Sequence, residues 1–163
     1  MSALDNPSVQ RVQAALEAAG SAARVIALVD IARSAEDAAR AIGTALGSIV
    51  KSLVFMVDGQ AVMALIAGDR RCDIAALPAA LGLTGKAKRA DAEIVRAATG
   101  FAIGGVAPVG HVNQLPIAID SSLRRFDAIY AAAGHPHCVF PTSVDELRRL
   151  TGGREVVGIG VEA

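Results

Sequence analysis

Aromatic residues are scarce in this sequence: they make up 3% of its 163 residues, and tryptophan is absent. Hydrophobic residues nevertheless reach 53%, so the core has to be built from alanine, valine, leucine and isoleucine. A surplus of charge is missing as well, because 16 basic residues balance 16 acidic ones. A neutral chain lacks the basic surface typical of proteins that bind long stretches of nucleic acid, so a nucleic-acid partner would be held through few phosphates.

Cysteine is almost as rare, since Cys72 and Cys138 are the only two and form no Cys-x-x-Cys motif. The sequence has no apolar run long enough to span a membrane and no recognisable signal peptide at its N-terminus. We therefore expect free thiols, a location in the reducing cytoplasm and no membrane partner. The length predicts a single domain, residues 1–163.

Apolar periodicity, capping residues and turn signals predict an α/β fold class, a mixed β-sheet surrounded by helices. Helices are predicted from Asn6-Pro7 to Gly20, from Ser34 to about Leu46, from Asp73 to near Gly82, over 91–98, and from Ser143 to Gly152. Strands are predicted over 24–29, 50–57, 60–67, 86–90, 115–120, 128–132, 138–140 and 156–161. Asp58-Gly59 predicts a two-residue hairpin turn between two strands that are central in the sheet.

Segment 100–110 combines four glycines and a proline with small apolar residues and carries no charge. Glycine permits positive φ and close approach of another molecule, and proline fixes the backbone. The composition fits either a turn packed on the core or a rigid loop that presents backbone N–H groups to a ligand. It matches neither a Walker A motif nor a dinucleotide-binding fingerprint.

Lys51 lies on a predicted strand face shared with Leu53, Phe55 and Val57. A lysine on an otherwise apolar face either reaches for solvent at the sheet edge or sits over a cleft, where it can bind an anionic or carbonyl oxygen. The basic pairs 70–71, 88–89, 124–125 and 148–149 are interpreted as solvated surface rather than phosphate sites.

Asp120 ends a predicted strand, and an Asp-Ser pair commonly caps the following turn. A Ser-His-Asp hydrolase made from Ser121, His135 and Asp120 is a weaker alternative, because no Gly-x-Ser-x-Gly motif is present. The cluster 134–138 brings two histidines and a thiol together in a turn. It lacks a distant partner ligand, so no metal site is predicted.

Taken together, these features resemble the YbaK/ProX family of aminoacyl-tRNA deacylases, which is related to the editing domain inserted in bacterial prolyl-tRNA synthetases. The resemblance covers nearly the whole chain as an ordered series of short motifs. They are Ile-Val-Lys-Ser-Leu-Val-Phe at 49–55, Gly-Asp-Arg-Arg at 68–71, Thr-Gly-Phe at 99–101, the glycine-rich run 104–110, 115–123, and Gly-His-Pro at 134–136.

The resemblance implies an editing enzyme that acts in trans and hydrolyses the ester joining a wrong amino acid to tRNA. Lys51 matches the functional lysine of the family, and the segment from Gly104 to Pro108 matches its Gly-x-x-x-Pro loop. Gly104, Gly105 and Val106 are then expected to donate backbone N–H groups to the oxyanion, and Pro108 to fix the loop. The further residues expected to contact the substrate or shape its pocket are Phe101, Ile103, Pro108, Asp120, Gly134 and His135.

The expected partner is the acceptor end of an aminoacyl-tRNA, most specifically proline tRNA carrying cysteine, alanine or another small residue, with prolyl-tRNA synthetase as a second partner. No cofactor is expected. Water, the terminal ribose hydroxyl of the tRNA or a substrate thiol could be the attacking or assisting group. Two alternatives remain: a non-catalytic module that binds aminoacyl-tRNA or a synthetase, and a small-molecule hydrolase on the same fold.

Overall fold

The structure, a computed structural model, describes residues 2–163, which form ten strands and five α-helices. The helices are α1 (Pro7–Ala18), α2 (Ala35–Ile42), α3 (Leu77–Ala80), α4 (Ala92–Thr99) and α5 (Val144–Thr151). The strands are β1 (Ile26–Ala27), β2 (Ile49–Val57), β3 (Gln60–Ala67), β4 (Arg70–Cys72), β5 (Ala87–Arg89), β6 (Ile117–Asp120), β7 (Ile129–Ala132), β8 (Cys138–Thr142), β9 (Arg154–Val156) and β10 (Gly160–Glu162).

The main sheet has the strand order β1-β8-β7-β2-β3-β6-β9, and β5 pairs with β2 beside this path. It is mixed, because β2 and β3 are antiparallel whereas β7 runs parallel to β2 and β6 runs parallel to β3. The hairpin turn has positive φ at both Asp58 (50°) and Gly59 (81°), as a two-residue type I′ turn requires. The predicted fold class, hairpin and central strands are confirmed.

Helices and short strands cover both faces of the sheet. On one face α1, α4 and α5 bury side chains such as Val12, Val95 and Leu147 against β2, β3 and β6. On the other face α3 and the small β4–β10 sheet cover Phe55 and Ile66. The aromatic-poor core therefore consists almost entirely of aliphatic side chains, as the composition predicted.

Several predicted boundaries are wrong. The second helix ends at Ile42, because Gly43 takes a left-handed conformation at its C-cap. The first strand is reduced to Ile26–Ala27. The predicted strand over 156–161 is two strands, β9 and β10, separated by a turn with Gly158 at φ 82°, and they belong to different sheets.

Strand pairing along the edge of β2 that faces β7 and β5 is interrupted, and the candidate site lies at this interruption. Strand β7 pairs with β2 only at Ile49 and Val50, and β5 pairs with it only from Phe55 to Val57. Between them, the N–H of Ala90 donates to the carbonyl of Val54, and the stretch from 51 to 53 has no strand partner on this edge. A cleft opens at this gap.

Candidate active site

The cleft at the sheet gap has a volume of about 380 Å³. Its floor is the stretch of β2 from Ile49 to Val54. One wall is formed by the segment from Ala32 to Ala35, and another by Ile103, Gly104 and Val106 from the glycine-rich segment. The turn after β7, including His135, closes the cleft on a third side. The glycine-rich segment is thus partly a packed turn and partly a cleft wall.

Lys51 lines this cleft and is half-buried in the interrupted part of a central strand. Its ammonium donates a hydrogen bond to the backbone carbonyl of Arg70. Burial lowers the pKa of Lys51 below its ordinary value, and Arg89 also lowers it, whereas the carboxylates of Glu36 and Asp69 act in the opposite direction. The structure therefore favours the interpretation of Lys51 as a cation at a cleft over that of a lysine reaching for solvent.

The loop that holds the ammonium of Lys51 is itself anchored. Asp69, next to Arg70, accepts two hydrogen bonds from the guanidinium of Arg125, at 2.9 and 2.7 Å. A side chain at Gly68 would clash, because its Cβ would lie 2.4 Å from the carbonyl oxygen of Leu46. The Gly-Asp-Arg motif at 68–70 therefore fixes the carbonyl that orients Lys51.

The glycine-rich segment presents two backbone N–H groups without a protein acceptor at the cleft. Within residues 2–163, the N–H groups of Gly104 and Val106 have no hydrogen-bond partner, and both residues line the cleft. Gly104 has a φ of 101°, a conformation that favours glycine. Gly105 differs, because its N–H donates to the carbonyl of Ala102 at 3.1 Å. The expected contribution of Gly105 as a donor is therefore not supported.

Gly105 instead brings the glycine-rich segment against the turn that carries His135. Its carbonyl accepts from the N–H of Gly134 at 2.9 Å, and a Cβ on Gly105 would lie 2.7 Å from the backbone nitrogen of His135. Gly134 has a φ of 91° and packs against α1, where a Cβ would lie 2.8 Å from the carbonyl oxygen of Ser8. Both glycines act through close packing, and Gly134 does not line the cleft.

The ring of His135 is held in a defined orientation. Its Nδ1 accepts a hydrogen bond from the backbone N–H of His137 at 3.0 Å. In the neutral imidazole the proton is then on Nε2, which makes Nε2 a hydrogen-bond donor. His135 lines the cleft, so the structure brings together Lys51, Ile103, Gly104, Val106 and His135.

Ser52 also lines the cleft, although its residue type and position in the sequence did not mark it as a site residue. Hydrogen-bonded pairs alternate along the hairpin, so the backbone groups of Lys51 and Leu53 point to β3 and those of Ser52 point into the gap. The Oγ of Ser52 is buried and has no hydrogen-bond partner within residues 2–163. A buried hydroxyl without a partner at a cleft is available to a ligand.

Besides Gly134, three more of the expected substrate-contacting residues lie outside the cleft. Phe101 is 1% exposed, and its ring is covered by the guanidinium of Arg11 at 4.3 Å. Pro108 is buried and borders a second cavity of about 300 Å³. Asp120 is 1% exposed and accepts hydrogen bonds from the N–H groups of Ala67 and Ser122 at 3.0 and 2.9 Å. These three residues have a structural role here, and Asp120 is the cap that an Asp-Ser pair favours.

Among residues 2–163, the side chains suggested for a Ser-His-Asp hydrolase, a metal site or a cysteine nucleophile are not arranged for that chemistry. The carboxylate of Asp120 accepts from backbone N–H groups, and Nδ1 of His135 accepts from the N–H of His137, so Asp120 and His135 do not form a catalytic pair. Within residues 2–163 no group of three His, Cys, Asp or Glu side chains is arranged to hold a metal ion. Burial raises the pKa of both thiols, that of Cys72 to about 11, so neither cysteine is an activated nucleophile.

Several known proteins resemble this chain over most of its length. A family model described as an aminoacyl-tRNA editing domain matches residues 30–150. A solved structure provisionally described as a trans-editing enzyme for prolyl-tRNA synthetase is 40% identical, with a TM-score of 0.88 over 97% of this chain and 99% of that one.

No helix in residues 2–163 has the length and apolar character needed to cross a membrane.

Two curated relatives are similar over a smaller part of the chain. EbsC of Enterococcus faecalis, provisionally assigned as a Cys-tRNA(Pro)/Cys-tRNA(Cys) deacylase, is 29% identical over 74% of this chain and 74% of its own length. A proline–tRNA ligase of Solidesulfovibrio magneticus is 31% identical over 71% of this chain, and the match occupies 20% of that enzyme.

Proposed function

The chain belongs to the aminoacyl-tRNA editing domain family, and on this premise we propose that it deacylates mischarged aminoacyl-tRNA in trans. The proposed substrate is proline tRNA carrying alanine, cysteine or another small amino acid. Water adds to the ester carbonyl, the bond from that carbon to the ribose oxygen breaks, and the ribose oxygen takes up a proton. The products are the free amino acid and the uncharged tRNA.

The observation that carries this proposal is the convergence of donors on one cleft. The free N–H groups of Gly104 and Val106 and the ammonium of Lys51 belong to residues that line one cleft, to which no acidic side chain contributes among the described residues. Ester hydrolysis passes through an oxyanion, and positioned donors stabilise that charge most where water is partly excluded. These three groups are the proposed oxyanion site, and the Nε2–H of His135 is a further donor to the substrate.

The walls of the cleft supply the proposed selection of the amino acid. Val50, Val54, Val95, Val106 and Cys138 give it an apolar lining. A small pocket of this kind admits a small side chain and excludes a larger one, which is the second sieve of an editing reaction. The Oγ of Ser52, which has no partner, and its backbone carbonyl are the proposed acceptors for the α-ammonium group of the substrate.

The proposed identity of the tRNA is supported by the names of two relatives. One relative carries the name of a Cys-tRNA(Pro) deacylase, and the match to a proline–tRNA ligase connects this fold with prolyl-tRNA synthesis. We therefore infer that residues 1–163 work as one editing domain in the cytoplasm, where charged tRNA is used. Specificity for the tRNA is proposed to come from its acceptor end and from contact with prolyl-tRNA synthetase.

A deacylation assay over a panel of charged tRNAs tests this proposal. Proline tRNA carrying alanine, cysteine or proline is incubated with the protein and with buffer alone, and the same amino acids are tested on a second tRNA. Alanine or cysteine should be released faster than in buffer, while proline should be retained. Deacylation of every charged tRNA at the buffer rate would refute the enzyme. Equal rates on both tRNAs, with or without the synthetase, would refute the proposed source of tRNA specificity.

A further inference from the structure

The charged side chains of the cleft are all of one sign. Lys51, Arg33 and Arg89 line it, and no aspartate or glutamate does within residues 2–163, although the whole chain has equal numbers of basic and acidic residues. Acidic side chains elsewhere engage other arginines, as in the pairs Arg124–Glu155 and Arg125–Asp69. Arg33 and Arg89 take part in none of the ion pairs found among the described residues. The side chains that line the cleft therefore carry a net positive charge in a neutral protein, although the carboxylates of Glu36 and Asp69 are close enough to raise the pKa of Lys51.

Arg33 is exposed on a wall whose backbone is tied to the rest of the site. The N–H of the preceding residue, Ala32, donates to the carbonyl of Pro136 at 3.0 Å, and the N–H of Arg33 donates to Asp37 at 3.3 Å. Ser34 then caps α2, with its Oγ accepting from the N–H of Asp37 at 3.1 Å. Arg33 thus projects from an anchored segment beside the turn that carries His135.

Arg89 is exposed on the other side of the sheet gap. It is the last residue of β5 and pairs with Phe55 of β2, and the next residue, Ala90, donates its N–H to the carbonyl of Val54 at 3.2 Å. Arg89 and Lys51 both line the cleft, and the charge of Arg89 lowers the pKa of Lys51. Two exposed arginines, each on an anchored stretch of backbone, therefore flank the cleft on different walls.

The size of the cleft determines which part of a bound tRNA lies next to Arg33 and Arg89. A volume of about 380 Å³ is near the lower end for small-molecule sites, so it admits an aminoacyl ester and part of one nucleotide and no more of a tRNA. The nucleotides that precede the esterified one then have to cross the mouth of the cleft, where Arg33, Arg89 and the 62% exposed Ile103 lie. Phosphate groups are the natural ligands of exposed guanidinium forks.

We propose that Arg33 and Arg89 bind the phosphodiester backbone of the single-stranded 3′ end of the tRNA on the two sides of the cleft. This inference rests on the proposed function for the identity of the RNA and adds the surface that holds it. Two contacts agree with a neutral chain, which can neutralise only a few phosphates. The pair 88–89 is accordingly not merely solvated surface, as its sequence context suggested, because Arg89 lines the cleft.

Binding of an uncharged RNA hairpin tests the surface without requiring hydrolysis. The hairpin has the acceptor-stem sequence of proline tRNA and a single-stranded CCA end, and a second hairpin lacks these three nucleotides. Affinity is measured by fluorescence anisotropy over a series of salt concentrations for wild type, the double variant Arg33→Ala/Arg89→Ala, the double variant Arg33→Lys/Arg89→Lys, and Arg154→Ala. Arg154 is exposed, forms none of the ion pairs and lies outside the cleft, so it is the matched control.

The double alanine variant should bind the CCA hairpin about tenfold more weakly or worse. For this variant the plot of the logarithm of the binding constant against the logarithm of the salt concentration should be less steep by about 1.4, the value for two single-strand phosphates. The double lysine variant should retain the slope, and Arg154→Ala should behave as wild type. The proposal would be overturned if Arg154→Ala lost as much affinity as the double alanine variant, or if that double variant lost as much affinity for the hairpin that lacks CCA. It would also be overturned if the wild type bound neither RNA. RNA binding through these arginines without hydrolysis of any ester would leave it standing and refute the deacylase.

Discussion

Arg125 holds Asp69 through two parallel hydrogen bonds of 2.9 and 2.7 Å, and Asp69 neighbours the residue whose carbonyl accepts from Lys51. Paired N–H···O bonds of this kind fix orientation as well as distance. The interaction therefore orients a lysine that lies in another strand. It also explains why Gly47 lies beside the pair, since a Cβ there would be 2.9 Å from both side chains.

Asp69→Asn should weaken this anchor. Because the two side chains are 33% and 37% exposed, solvent screens the pair, and the free energy of unfolding should fall by only about 0.5–1 kcal/mol at pH 7. Deacylation should slow several-fold, since the Arg70 carbonyl loses its fixed position. Urea unfolding and kcat measure the two effects. Glu17→Gln, which breaks the more exposed pair with Arg24, should change neither.

The same variant has a defined pH dependence. The hydrogen bond from Arg125 lowers the pKa of Asp69, so its contribution to stability is present above the unfolded-state pKa of about 3.9 and is lost as the pH falls through the folded-state value. The difference in stability between wild type and Asp69→Asn should therefore be constant near neutrality and disappear in acid. A difference that grows below pH 4 would contradict the anchor.

The titration of Lys51 should respond to the charges around it. Its pKa should lie below that of an exposed lysine because of burial, should fall further in Glu36→Gln and should rise in Arg89→Gln. NMR of ¹³C-labelled lysine reports these values. The alkaline limb of the pH–rate profile should move in the same directions. A Lys51 with the pKa of a lysine in a model peptide would show that the ammonium is not in a desolvated site.

Ser52→Ala should separate substrate binding from stability. The Oγ of Ser52 has no hydrogen-bond partner among residues 2–163, so its removal should leave the free energy of unfolding within about 0.5 kcal/mol of wild type. KM for the mischarged tRNA should rise about tenfold if this oxygen accepts from the substrate ammonium, the value of a hydrogen bond to a charged group. Ser122→Ala removes a second buried hydroxyl that has no partner in the described part of the chain. Ser122 does not line the cleft, so this variant should alter neither quantity.

Gly105→Ala should displace the turn that carries His135. The new Cβ would meet backbone atoms of Gly134 and His135 at 2.9 and 2.7 Å, an overpacking that costs about 1–3 kcal/mol. Gly152→Ala places a Cβ in open space at a φ of 68°, at a similar cost of about 1–2 kcal/mol. Both variants should lose stability in urea, but only Gly105→Ala should lose deacylation at a temperature where both are folded. Equal activity in the two would refute the packing role of Gly105.

Local signals predicted the parts of the fold that local chemistry determines. The Asp58-Gly59 turn and the caps Asn6, Ser34, Asp91 and Ser143 are all observed where the sequence indicated them. The three-residue strands β4 and β9 were missed or displaced, because their pairing depends on a partner distant in the chain and not on their own pattern. Family resemblance, rather than periodicity, identified the editing fold.

The candidate site shows the same division. Lys51 on an apolar strand face pointed to a cleft, and the structure places it there. Ser52, Arg33 and Arg89 line the cleft only because β7 and β5 leave a gap along β2, and no short motif encodes where two other strands end. Phe101 and Asp120 were expected to contact the substrate because of their positions in the family motifs. Their side chains are instead buried outside the cleft.

The most direct test of the central claim is the single-turnover hydrolysis of the fastest substrate from the tRNA panel by Lys51→Ala. Loss of one oxyanion donor typically costs about 10²–10³ in rate, and Lys51→Ala should fall by at least about 100-fold. Lys86→Ala, which removes an exposed lysine outside the cleft, should keep the wild-type rate. Full activity in Lys51→Ala, or an equal loss in Lys86→Ala, would contradict the assignment of the cleft at Lys51 as the catalytic site.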